Sequence, residues 1–291
     1  TLNILNAKTQ GEITATVSEK DVATLKTLTG NNNAYIIKID DKTVAAVELN
    51  AIDSATKLVV DASISTITGE IVDVIKSYDS VGITGLGSEN VTITDTASVA
   101  GLNTLDKKVT GVISAQVLEK DAATLKTLTG TNNAYGITIG DVSVSAIDLN
   151  AIDAKTIVGV NASAATKITG QIDELNKAYA SEGIAGLNSE DVTVTGSASV
   201  TALNTLDAKT LGEITATVTE KDAATLKTLT GLNAYSIQVD DQTVRAVELS
   251  AIDAATTLNV EASVSVISGT VTEVSKAYSS VGITGLGSEN V

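Results

Sequence analysis

The sequence predicts an α/β fold, specifically an α/β-solenoid of about twelve stacked strand–helix rungs on a parallel β-sheet. Three observations carry that prediction. The chain repeats itself at long range: LNAKTQGEITATVSEKDVATLKTLTG at 5–30 matches LDKKVTGVISAQVLEKDAATLKTLTG at 105–130 and LDAKTLGEITATVTEKDAATLKTLTG at 206–231. Short stretches such as ITATV, VTITD and VTVTG alternate with period two, as strands with one buried face do. Each is followed by a short run with apolar residues at helical spacing. Units too small to bury their own apolar face gain a core by stacking.

The elements follow in order. Strands are expected to begin near Ile13, Ile36, Leu58 and Val91, again near Ile113, Gly136, Ile157 and Val192, and again near Ile214, Ser236, Leu258 and Val291. The step is about 22 residues, except for a third step of about 33 in each set. In DAATLKTLTG (222–231), Ala223, Leu226 and Leu229 share one side of a short helix. Asp222 suits its N-cap, where a side-chain oxygen accepts from an unpaired backbone N–H. Gly231 suits the residue just past its end, where a left-handed backbone costs glycine nothing. SAID at 145–148 has capping-box spacing. The long step holds an extra helical segment, at 69–80, 170–181 and 269–280, with Ile71, Val74, Ile75 and Tyr78 on one stripe. GITGLGSEN then turns the chain to Val91, its glycines permitting a tight corner.

The expected organisation is therefore one continuous solenoid over 1–291, with long repeats at approximately 1–101, 102–202 and 203–291. Crossovers between parallel strands coil right-handed. Twelve rungs at ~4.8 Å would span on the order of 55 Å. The spacing is similar to that of leucine-rich repeats in logic, but the signature LxxLxLxxN/CxL is not met. Residue 1 stands at the place of Ala202, and neither terminal segment looks like a polar cap. The expectation is a segment of a longer array, or end-to-end stacking between copies.

Composition narrows the function. Phe, Trp, Met, Cys, His and Pro are absent, and 43 % of residues are hydrophobic, almost all Ala, Val, Ile and Leu. Side chains of this kind suit narrow, regular interiors. Net charge is −16, with Arg245 the single arginine, so there is neither a basic patch nor an aromatic platform for nucleic acid. No apolar run approaches the ~20 residues that span a bilayer, so no membrane insertion is expected. Without histidine or cysteine there is no ready general base or thiolate, and any carboxylate dyad would be repeated threefold. The chain is expected not to be an enzyme, with no catalytic or cofactor-binding residues.

Five groups of residues are candidates for a site. Asp40–Asp41 and Asp240–Asp241 are adjacent carboxylates after strands and the candidates for Ca²⁺, which needs six to eight oxygens. The middle repeat has Gly140–Asp141, which favours instead a solvated turn and helix cap. Ser88, Glu89 and Asn90 form an oxygen-rich corner that reads as a hydrogen-bonded turn. Asn50, Asn103, Asn150 and Asn204, each with Asp53, Asp106, Asp153 or Asp207 three residues on, read as a ladder satisfying backbone groups at helix ends. Thr14/Thr16, Thr92/Thr94, Thr193/Thr195 and Thr215/Thr217 point outward. Lys38, Asp61, Gln116 and Glu261 interrupt that face and argue against an ice-binding array. Tyr35, Tyr135 and Tyr235 before strands, and Tyr78, Tyr179 and Tyr278 closing the extra helix, read as packing groups. A ring left exposed at these places would stack on a glycan.

The strings VTITDTASVAGLNTLDKK, ITGLGSENV and TLTG resemble the tandem repeats of giant secreted or cell-surface bacterial proteins, those of marine cyanobacteria in particular. The resemblance covers essentially the whole chain and carries over no site residues. It implies an extracellular or cell-surface location. The expected role is a structural repeat segment of an extended surface protein or filament, acting as a stiff spacer or self-associating end-to-end or laterally. The alternatives are an adhesin-type module that binds a glycan or is stiffened by Ca²⁺, and a viral fibre shaft.

Overall fold

The computed structural model describes residues Thr1–Val291 as a mixed α/β protein with several parallel sheets and no closed barrel. Strands and helices alternate along the whole chain. It divides into two compact units, Thr1–Thr138 with Ile152–Val160, and Ile139–Ala151 with Asn161–Val291. Their boundary falls inside the middle long repeat rather than between repeats.

In the first unit, strands Thr14–Thr16, Ala34–Lys38, Val60–Asp61 and Ile83–Thr84 form one parallel sheet in sequence order. Strands Thr43–Ala45, Thr66–Gly69, Asn90–Ala97, Ile113–Val117 and Ala134–Thr138 follow one another in a second. In the second unit, Ser143–Ser145, Lys167–Gly170, Asp191–Ala198, Ile214–Val218, Ala234–Val239, Val260–Ala262 and Ile283–Thr284 do the same. Within these sheets each strand but the last in order thus pairs with the strand one repeat unit later, as Ala15 with Tyr35 and Ile37 with Val60. Parallel neighbours need a crossover, and the helices supply it.

Alternation decides which residues face inward. Ile214, Ala216 and Val218 are buried while Thr215 and Thr217 are exposed, and Val91 and Ile93 are buried while Thr92 and Thr94 are exposed. The helices complete the core: Leu25, Leu49, Val74 and Leu102 in the first unit, and Leu175, Leu203, Leu226 and Leu249 in the second, are all at most 1 % exposed. Each such side chain contributes ~1.5–3 kcal/mol relative to exposure.

Helix starts are specified locally. Asp21, Asp121 and Asp222 accept from the amides of Thr24, Thr124 and Thr225 at 2.8, 2.8 and 2.9 Å, as the expectation for Asp222 required. Hydrogen bonds from the same threonines hold these three carboxyls below their ordinary range. Gly231 is left-handed, with φ 74°. Ser145 Oγ accepts from Asp148 N at 3.2 Å.

Two sequence readings change. The helical run at 222–231 is a helix only over Ala223–Leu226, with Leu229 buried in the turn beyond it. The 33-residue step disappears: helices begin at Val22, Ala46, Ile71, Val99 and Ala122, so successive starts lie 24, 25, 28 and 23 residues apart. Most segments carry two short strands before the helix, such as Val60–Asp61 and Thr66–Gly69. The GITGLG corner contains one of them, Ile83–Thr84, paired with Val60–Asp61. A two-residue strand has no period-two pattern long enough to read. Strands expected near Ile36 and Leu58 accordingly start at Ala34 and Val60.

Candidate functional site

The places where side chains converge are the corners, and there they bind backbone groups of the turn itself or of the neighbouring segment. At the GLGSEN corner, Glu89 is 2 % exposed. Its carboxylate accepts from Gly87 N at 2.8 Å and Ser88 N at 3.0 Å, and from the hydroxyl of Tyr78. Glu190 repeats this with Asn188 N at 2.8 Å, Ser189 N at 3.0 Å and Tyr179. Glu289 does so with Gly287, Ser288 and Tyr278. Burial, and then the hydrogen bond to the neighbouring carboxylate and its charge, push the Tyr78 and Tyr179 phenols well above their ordinary range. Burial would raise the Glu289 carboxyl, but the bonds from Tyr278 and the amides outweigh it and hold it low. Asn90 Oδ1 receives Val112 N at 3.0 Å. The Ser88–Asn90 corner is therefore a hydrogen-bonded turn closed by a buried carboxylate.

The asparagine ladder is present. Asn103 donates to Thr127 O at 2.9 Å and accepts from Thr129 N at 2.8 Å, and Asn204 does the same with Thr228 and Thr230 at 2.7 and 2.9 Å. Asn50 and Asn150 donate to the carbonyls of Asp73 and Glu174, both at 3.0 Å. Asp53 accepts from Ser80 Oγ at 2.7 Å. Asp106 and Asp207 accept from Asn133 and Asn233 at 2.9 and 2.8 Å. Those last asparagines, with Asn33, escaped the sequence reading. They are 4, 3 and 1 % exposed, and each accepts a strand amide, of Ile113, Ile214 and Ile13, at 2.9, 2.9 and 3.0 Å. Their signal was the recurring Asn-Ala-Tyr triplet. Thr56, Thr156 and Thr256 were missed too. Each hydroxyl donates to the carbonyl of Tyr35, Tyr135 or Tyr235 and accepts that tyrosine's amide, standing in for a strand.

Three of the four calcium candidates, Asp40, Asp41 and Asp241, have side chains engaged with protein groups. Asp41 Oδ2 accepts from Val22 N at 2.6 Å and Asp241 Oδ2 from Ala223 N at 2.7 Å, each at the start of the preceding segment's helix. Asp40 lies 3.0 Å from Lys20 Nζ, both about half exposed. Glu119 and Glu220 cap the helices at Val99 and Val200 in the same way, at 2.9 and 3.0 Å. A carboxylate at a helix N-terminus satisfies an orphan amide and meets the positive end of the dipole. No three Asp, Glu, His or Cys side chains converge in a metal-holding group.

The remaining candidates fall into place by exposure. Tyr35, Tyr135 and Tyr235 are 0 % exposed, out of reach of a stacking ligand, whereas Tyr278 is 40 % exposed. Lys38 pairs in register with Asp61, and Gln238 with Glu261, so charge and amide groups interrupt the outward threonines. No helix is long and apolar enough to cross a membrane. Comparison with family models, with curated proteins and with solved structures returns no match to the chain.

Proposed function

We propose that the chain is a structural repeat segment of an extended extracellular or cell-surface protein or filament, and that it acts as a stiff spacer. The observation that carries this reading is the use of its polar groups. The asparagine ladder and the candidate calcium ligands Asp41 and Asp241 bond to backbone of an adjoining segment, while the corner carboxylates close their own turn. Fixing each segment to the next is what a rigid array requires, and in a solenoid it is the main source of stability.

On this reading the parallel registers continue as an α/β-solenoid of about twelve rungs. Strand pairing at one-repeat intervals within each unit supports it. The absence of a differentiated site follows, because a spacer needs the same corner many times. Small-angle X-ray scattering of the dilute chain tests the proposal. A single rigid particle is expected, with a long dimension on the order of 55 Å. The scattering of separate bodies on flexible tethers would refute it.

A further inference from the structure

The tripeptide Asn-x-Ser/Thr, with x other than proline, supplies the acceptor for an asparagine-linked glycan where it lies on the surface of a secreted chain. It occurs here as Asn90-Val91-Thr92 and as Asn161-Ala162-Ser163. Both asparagines are exposed, but the fold uses them differently.

Asn90 opens the eight-residue strand Asn90–Ala97. Thr92 lies inside that strand, opposite Thr68 on one side and Ser114 on the other. Asn90 Oδ1 receives Val112 N at 3.0 Å, which ties the side chain to the next segment. Asn90 therefore serves the bonding between segments, and a peptide paired on both sides leaves a modifying enzyme no free backbone to grip.

Asn161 closes the two-residue strand Val160–Asn161, and the chain turns at Ser163 and Ala164. Asn161 and Ser163 are exposed, with the buried Ala162 anchoring the stretch between them. Asn161 Oδ1 accepts from Ser163 N at 3.0 Å, so this bond stays within the tripeptide. The amide nitrogen of Asn161 and the hydroxyl of Ser163 have no protein partner. An N–H bonded to Oδ1 draws electron density out of the carboxamide, which makes a proton on Nδ2 easier to lose.

The other long repeats show that packing does not require an amide here. The equivalent residues are Asp61 and Glu261. Asp61 accepts from Ser63 Oγ at 2.9 Å and lies 3.9 Å from Lys38 Nζ. Of the three places, the middle one alone offers an uncharged nitrogen.

We propose that Asn161 carries an asparagine-linked glycan. This rests on the extracellular part of the reading above and goes beyond it by assigning a modification site. Transfer from a diphosphate-activated sugar breaks the bond between the sugar's anomeric carbon and the phosphate oxygen and forms one to Nδ2. The diphosphate leaves with the bonding electrons, Nδ2 gives one proton to a base of the transferase, and nothing is oxidised or reduced.

Tandem mass spectrometry of tryptic peptides, on the chain isolated from the cells that naturally make it, tests this. Cleavage after Lys155 and Lys167 places Asn161 on a peptide of its own, and cleavage after Lys76 and Lys107 isolates Asn90. Peptide 156–167 is expected to carry a sugar on Asn161, and peptide 77–107 to be bare. Ser163→Ala, made in the same cells, is expected to lose the sugar and keep the wild-type circular dichroism. Asn161→Asp, which installs the residue of the first repeat, is expected to do the same. A bare peptide 156–167, a sugar on Asn90 instead, or a sugar retained in Ser163→Ala overturns the proposal. A bare Asn161 in a chain that still scatters as one rigid particle removes this inference and leaves the spacer reading standing. Glycosylated Asn161 in a chain that scatters as tethered bodies does the reverse.

Discussion

Asn133 shows how a polar side chain becomes structural. Its amide nitrogen donates to Asp106 at 2.9 Å and its oxygen accepts from Ile113 N at 2.9 Å, inside a site only 4 % exposed. Replacing it by leucine keeps the volume but orphans both partners, and an unmet buried group costs ~1–3 kcal/mol. Asn133→Leu is therefore expected to lower stability by about that much in urea unfolding. The sequence did not reveal this residue because asparagine in a polar loop ordinarily signals an exposed turn. Asp41 was legible as a helix cap, but not that the capped helix belongs to the preceding segment. Asp41→Ala removes that acceptor and is expected to cost ~0.5–2 kcal/mol. Calcium is expected to leave the melting temperature of the wild type unchanged. A calcium-dependent rise that vanishes in Asp41→Ala would restore the metal reading.

Titration belongs to the residue scale as well. The Tyr78, Tyr135, Tyr179 and Tyr235 phenols are raised, chiefly by burial. A raised group binds its proton more tightly folded than unfolded. Its contribution is complete below the unfolded value of ~10 and is lost as pH rises above it. Tyrosinate absorbance is expected to appear together with loss of circular dichroism, not before it. The lowered carboxyls of Asp21, Asp121 and Asp222 act with the opposite sign. Their contribution is present above the unfolded value of ~4 and is lost as pH falls through the folded one.

At the scale of the element, the helices were the more readable. Ala223, Leu226 and the capping Asp222 were identifiable from spacing, because a helix advertises its buried face over several residues and its start with a cap. The helix nonetheless stops at Leu226, since four residues suffice to bring Leu226 to 0 % exposure. Leu203, also 0 % exposed, fills the same place in Val200–Asp207, and Leu203→Ala is expected to cost ~2–5 kcal/mol by calorimetry or denaturant. Strands were half readable. ITATV and VTITD showed their alternation, whereas Val60–Asp61 and Ile83–Thr84 exist only through their neighbours and leave no local pattern. The strand Asn90–Ala97 also carries an irregularity invisible in sequence. Thr92 faces Ser114 but Thr96 faces Gln116, and the looped-out Asp95 caps Ile71 N at 3.0 Å.

At the scale of the molecule, the three long repeats and the parallel α/β class were legible, because identical strings recur and alternation and helical spacing recur with them. The corner chemistry was legible only as an oxygen-rich turn. That Glu89 is buried under Tyr78 depends on segments eleven residues apart meeting in space. The account stands or falls on whether successive segments stack coaxially. The most direct measurement is small-angle scattering of a chain into which a second copy of residues 102–202 is inserted after Ala202, compared with the parent. Stacking at ~4.8 Å per segment predicts a particle about 19 Å longer with an unchanged cross-section. A thicker particle of the same length, or an additional body moving independently, would contradict it.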